Sequence, residues 1–288
     1  MHTTKHRTTI SLVLCAVAAL VSCSSGAGVG NVTFTTWGEE YIEAGIPASE
    51  LEDGWSVKYS TFLVVLGGVK VADGAGVVGG EMSGTKLFNH VAPQPKAVFE
   101  ASGLAAQPWP KVSYQLVPAS SATALGAGAT ESDKAAMVAG GLGLYVEGKA
   151  TKGAESRSFK WGFAAKTLFD ACKGEVSGKE VDGANVTNGG TDSIELTIHG
   201  DHLFYDDLQS PSAKLRFQNL ADADADKNGE ITLAELEATK LARLPKENGP
   251  YGTGSAADIV DLKAYVTALT RTVGHFRGEG ECLTRPIP

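Results

Sequence analysis

The sequence predicts a mainly β protein with a helical tail: an antiparallel β-sandwich or barrel over residues 31–200, then a small helical subdomain over 201–288. Three observations carry that expectation. Strict period-2 alternation of apolar and polar residues recurs before Gly200, as in Trp55-Ser-Val57-Lys-Tyr59 and Ile194-Glu-Leu196-Thr-Ile198, the mark of half-buried strands. Gly, Asp and Pro punctuate these runs, and the chain holds 35 Gly, more than a helical bundle tolerates. After Gly200 the apolar period changes from 2 to 3.6. With 288 residues, 43% of them hydrophobic, the chain has material for one large core or two modest ones.

Taken in order, Trp55–Tyr59 reads as a strand, and Phe62–Leu66 is a short apolar run stopped by Gly67-Gly68. Ala119–Ala129 is a loop of small residues, and Ser132–Val138 a short helix capped by Ser132. Further strands are expected at Val112–Val117, Leu142–Ala150, Ser158–Phe163 and Ser193–His199. Phe159, Trp161 and Phe163 share one face and read as core rather than a ligand platform. Beyond Gly200, Leu215, Phe217 and Leu220 open a helical pattern that Leu233, Leu236, Leu241 and Leu244 continue. A last helix is expected over Ser255–Val273, with Ser255 and Asp258 spaced as a capping box.

Residues 1–22 read as an export signal. Lys5, His6 and Arg7 precede a weakly polar run from Ile10 to Val21, and no acidic residue occurs before Glu39. That run is too short to span a bilayer as a helix but suits a secretory signal. It ends in Leu20-Val21-Ser22-Cys23, which resembles the lipobox of bacterial lipoproteins. The resemblance implies cleavage before Cys23, lipidation of its thiol, and a membrane anchor. Ser24 stands where an inner-membrane lipoprotein carries Asp, so the resemblance implies the outer membrane. Ser24–Gly30 reads as a flexible tether. The alternative is an ordinary signal peptide that happens to contain a cysteine. A chain beginning at Cys23 has 23 basic and 33 acidic residues. That acidic balance, without any Lys/Arg cluster, excludes nucleic acid as the leading partner.

Cys15 would leave with the signal and Cys23 would carry lipid, so Cys172 and Cys282 remain. In an oxidising compartment the economical expectation is one disulfide, with two separate thiols as the alternative.

The segment Asp224-Ala-Asp226-Lys-Asn228-Gly229-Glu230-Ile231-Thr232-Leu-Ala-Glu235 resembles the EF-hand calcium loop at each diagnostic position. Calcium takes six to eight oxygen ligands, and a 12-residue loop supplies them by wrapping once around the ion. By resemblance, Asp224, Asp226 and Asn228 give side-chain oxygens and Glu230 its carbonyl. Thr232 acts through water, Glu235 clamps with both oxygens, and Gly229 takes the sharp turn. A second such loop is absent from the sequence, which points to a structural rather than a sensing role. The alternative is an acidic turn between helices.

A second cluster comprises His199, His202 and His275. His199-Gly-Asp201-His202 sits where a strand ends, followed by Asp206 and Asp207, and His275 lies seven residues before Cys282. If the disulfide forms, His275 is drawn toward the other two, and imidazoles with a carboxylate would suit zinc or copper. The alternative is histidines that order a loop through hydrogen bonds. The mixture of His, Trp and a disulfide is loosely similar to that of periplasmic β-sandwich copper proteins of the methanobactin-operon type, without a residue-by-residue match.

Catalytic signatures such as Gly-x-Ser-x-Gly, His-Glu-x-x-His or a phosphate-binding loop are missing from the sequence. Two functions follow as expectations. The first is a non-enzymatic, membrane-anchored lipoprotein that binds calcium. The second is a copper- or zinc-binding or delivery protein built on the histidines.

Overall fold

The structure is a computed structural model and describes residues 28–249 and 251–287. The signal-peptide and Cys23 expectations lie outside the described residues. Most of the chain is β, in curled sheets with few helices. One sheet has four strands in the order Gly274–Phe276, Thr191–Ile198, Val29–Gly38, Lys96–Ala105. A larger, ten-stranded sheet is centred on the 17-residue strand Ser56–Ala72, flanked by Leu144–Lys152 and Lys111–Leu116, and two small two-stranded sheets stand apart from both. The two large sheets feed one core, in which Val32 and Phe34 of the first meet the cluster holding Tyr59, Phe62 and Trp161 of the second.

Among the described residues, strand–strand pairing is antiparallel except at three places. The long exception joins Val29–Gly38 to Thr191–Ile198 in parallel, Asn31 beside Thr191 through Gly38 beside Ile198. The strands Val29–Gly38 and Lys96–Ala105 escape the sequence reading, and Val29 and Gly30 belong to the first rather than to a tether. The run Phe62–Leu66 fails to alternate because both faces are covered. Phe62, Val64 and Leu66 enter the main core, while Leu63 and Val65 pack with Leu87 and Met137 beneath the helix Glu131–Gly140. Gly67-Gly68 does not end the strand. Gly68 takes φ +56° and the register slips between Gly67 and Lys70, so the glycines make a bulge inside it.

Helix boundaries differ from expectation for local reasons. The helix at 131–140 is capped by Thr130, not Ser132, because Thr130 and Asp133 satisfy each other's backbone N–H groups in a capping box. The last helix runs only Leu262–Leu269, and Asp261 rather than Ser255 caps it. The preceding residues fold into turns, Ala256 N–H bonding Thr253 O and Ile259 N–H bonding Ala256 O. The helices beside the acidic loop are short, Gln218–Ala221 and Leu233–Ala238. The C-terminal residues add strands to the sheets: Glu230–Ile231 beside Ser158–Phe159, Gly274–Phe276 beside Leu196–Ile198, and Leu283–Pro286 beside Thr167–Asp170.

Phe159, Trp161 and Phe163 are buried core, as their alternation predicts. Phe159 stacks on Trp161 at 4.5 Å and meets Tyr59, Phe204 and Phe217 at about 6 Å. This aromatic centre ties the C-terminal turns to the sheet. Truncating a ring of this kind costs about 3–5 kcal/mol in a close-packed core. Cys172 and Cys282 form a disulfide across 110 residues. Among the described residues no helix is long and apolar enough to cross a membrane.

Candidate metal centre

Three chain segments meet where Thr191–Ile198 ends. His199 follows that strand directly, and its N–H bonds Val273 O at 2.8 Å. One residue later the chain enters a 3-10 turn, Asp201–Phe204, whose second residue is His202. His275 is the middle residue of Gly274–Phe276 and lies opposite Thr197. The imidazoles converge: the ring centroids of His199 and His275 are 4.1 Å apart, of His202 and His275 4.9 Å, and of His199 and His202 5.0 Å. One ring nitrogen from each falls within 4.8 Å of the other two, with His199 and His275 buried.

The hydrogen bonds assign one tautomer. Thr272 Oγ1 donates its proton to Leu269 O at 2.9 Å, so at 3.1 Å it accepts from Nδ1–H of His202. That leaves Nε2 of His202 with a lone pair, the arrangement a metal ligand needs. Burial, reinforced by the neighbouring His275, holds His199 down at about 3 and His202 down at about 2. Both rings are therefore neutral at physiological pH and open to coordination.

Carboxylates border the trio. The parallel register sets Gly38 beside Ile198, so Glu39 arrives beside His199, with Oε1 3.1 Å from Nε2. Burial raises Glu39 to about 8, helped by the charges of Glu279, Asp201 and Glu195. Burial also lifts Asp201 to about 6, although Tyr205 donates to its carboxylate at 3.3 Å. Three buried polar atoms here have no hydrogen-bond partner: Nε2 of His199, Nδ1 of His275 and Oδ1 of Asp201. Such atoms are costly to leave unsatisfied, and here they gather at one point beside the converging imidazoles. A cleft of about 520 Å³, lined by His202, Tyr205, Thr272, His275 and Glu279, gives access from solvent. Asp206 and Asp207 are tied up in their own hydrogen bonds, although Asp207 also lines this cleft. Asp206 binds Arg216 at 2.6 Å, and Asp207 accepts from the N–H groups of Gln209 and Ser210.

The acidic loop forms a separate group. Asp224, Asp226 and Glu235 bring carboxylate oxygens within 4.8 Å of one another. Gly229 takes φ +83° and Lys227 φ +59°, and the Asp224 carboxylate accepts from the N–H groups of Asn228 and Gly229. Asn228, Glu230 and Thr232 stand outside that trio. Asn228 Nδ2 donates to Asp226 at 2.9 Å, the Glu230 side chain is exposed, and Thr232 caps the helix Leu233–Ala238 through Glu235. Arg157 pairs with Asp224 at 3.0 Å. Ile231 meets no second loop of its own kind; with Glu230 it pairs in parallel with Ser158–Phe159, and Trp161 donates to its carbonyl.

Sequence spacing missed Glu39, which stands 160 residues before His199, and only an expectation of the parallel register could have found it. No known protein family, curated protein or solved structure matches the chain, so what the site does rests on its own geometry.

Proposed function

We propose that this protein is an exported, membrane-anchored metal-binding protein whose principal site, His199, His202 and His275, takes zinc or copper. The observation that carries the reading is the convergence of three buried imidazoles with unpartnered ring nitrogens at His199 and His275. Neutral imidazole suits zinc and copper, whereas calcium and magnesium ask for oxygen ligands. Asp201 and Glu39, giving up their protons as the ion enters, supply negative charge beside the trio and offset the cost of burying a dication among the imidazoles. The reading is of binding or delivery rather than catalysis. Its test is a titration of metal-stripped protein with Zn²⁺ or Cu²⁺ in calcium-containing buffer. One tight equivalent is expected, with His202→Ala and His275→Ala each weakening it about a hundredfold, or about 2.7 kcal/mol. Wild-type affinity in both variants would refute the assignment.

Calcium is the second ion of this reading, held at Asp224, Asp226 and Glu235 with Asn228, Glu230 and Thr232 completing the loop. The supporting observation is the gathering of three carboxylates around a turn whose sixth residue, Gly229, has positive φ. Its role is to stiffen the turn that docks on Ser158–Phe159. Lipidation at Cys23 places the domain at the outer membrane.

A further inference from the structure

Two ligand groups share His199. Beside the histidine trio, Glu39, His199 and Glu279 also bring one ligand atom each within 4.8 Å of the other two. The groups differ in access. Glu39 is partly covered and Glu279 exposed, while His199 is buried with Nε2 facing Glu39 and lacking a hydrogen-bond partner. Glu279 sits in the turn Gly278-Glu279-Gly280, where Gly278 takes φ +80°, and it lines the cleft that leads to His202 and His275.

We infer that Glu39 and Glu279, with His199, form an outer capture subsite that takes a divalent transition-metal ion from solvent and passes it to the histidine trio. The inference rests on the reading of that trio as a metal site. A hydrated dication cannot enter a buried ring of imidazoles without losing water, and losing it all at once is costly. Carboxyl groups at the rim replace water with oxygen ligands. The ion then exchanges Glu39 and Glu279 for His202 and His275 while staying bound through His199. Borderline divalent ions prefer imidazole nitrogen to carboxylate oxygen, so the exchange runs inward. The carboxylates thus govern how fast the inner site fills and contribute little to its final strength.

The experiment is stopped-flow loading of the metal-stripped mature protein with Co²⁺, followed by its visible d–d absorption, in millimolar calcium so that the acidic loop is already filled. Glu39→Gln/Glu279→Gln should load at least about tenfold more slowly, the lower end of what a charged cleft adds to an association rate. Its final spectrum should match wild type and its affinity stay within the same decade. Glu281→Gln removes a charge from the same cleft but lies outside the ligand group, and should load at the wild-type rate. His202→Ala should retain a weak Co²⁺ complex with the paler spectrum of an oxygen-rich, higher-coordinate ion. An unchanged rate in the double glutamate variant overturns the inference, as does equal slowing by Glu281→Gln, which would mark a general field. A changed final spectrum in the double variant also overturns it, because the carboxylates would then be resident ligands. If wild type takes up no Co²⁺, Zn²⁺ or Cu²⁺, the histidine reading fails and this one with it.

Discussion

The indole N–H of Trp161 donates to the carbonyl of Ile231 at 2.8 Å, with both residues fully buried. This bond, with the parallel pairing of Glu230–Ile231 beside Ser158–Phe159, fastens the acidic loop to the sheet. The loop's apolar residue needs a partner surface, and the β domain supplies it. Five carboxylates fall between Asp222 and Glu235, and they repel one another in the compact turn.

Calcium is therefore expected to raise the melting temperature. At about 100 times Kd the gain is about 2.7 kcal/mol, or about 5–10 °C for a chain of this size. Glu235→Gln should remove most of that gain and leave the melt in chelator nearly unchanged, since Gln still accepts the N–H of Thr232 that Glu235 now takes. Identical wild-type melts in calcium and chelator would reduce the loop to an acidic turn.

The disulfide holds the segment that presents His275. Lys173 N–H bonds Glu281 O at 2.8 Å beside the bridge, and Arg277 reaches Asp192 at 2.6 Å. Cys172→Ala/Cys282→Ala should cost about 2–5 kcal/mol of stability. It should also weaken zinc binding, because a looser segment 274–282 must be ordered each time the site forms. Reduction of the wild type with a non-thiol phosphine, removed before the zinc titration, should reproduce both effects. Zinc affinity unchanged by both treatments would show that strand pairing alone places His275.

The metal-free protein should be most stable near pH 6.5. Burial holds His90, as well as His199 and His202, far below the ordinary histidine value, at about 3 for His90. Between pH 6.5 and 3 the unfolded chain binds protons at these three positions and the folded chain does not. Stability therefore falls as pH falls, by up to about 4 kcal/mol per pH unit for three protons. Asp201 and Glu39 act oppositely, being raised to about 6 and about 8. The folded chain keeps the Glu39 proton that the unfolded chain has lost, so stability also falls as pH rises from 6.5 toward 8. His90→Gln should flatten the acid limb and Glu39→Gln the alkaline limb in urea melts. A pH profile that neither variant alters would contradict these assignments.

Cys23→Ala should move the protein from the membrane fraction to the soluble exported fraction. Continued membrane association of the variant would remove lipidation as the anchor.

The division between what the sequence determined and what folding decided follows from range. Alternation at Trp55–Tyr59 and Ile194–Ile198 reports burial of one face, a local property, so the β class and the buried Phe159–Trp161 stripe were legible. The Cys172–Cys282 bond was legible because the expected export signal claimed Cys15 and Cys23 and left these two to pair. The grouping of Asp224, Asp226 and Glu235 was legible because these carboxylates lie within 12 consecutive residues. Caps shifted to Thr130 and Asp261 because competing Ser, Thr and Asp side chains differ only in tertiary context. Glu39 was invisible, because nothing in either strand says that Val29–Gly38 lies parallel to Thr191–Ile198. That register, with the return of Gly274–Phe276, sets Glu39, His199, His202 and His275 around one point. Pairing between distant strands is chosen by the shared core beneath them, and only the tertiary structure records it.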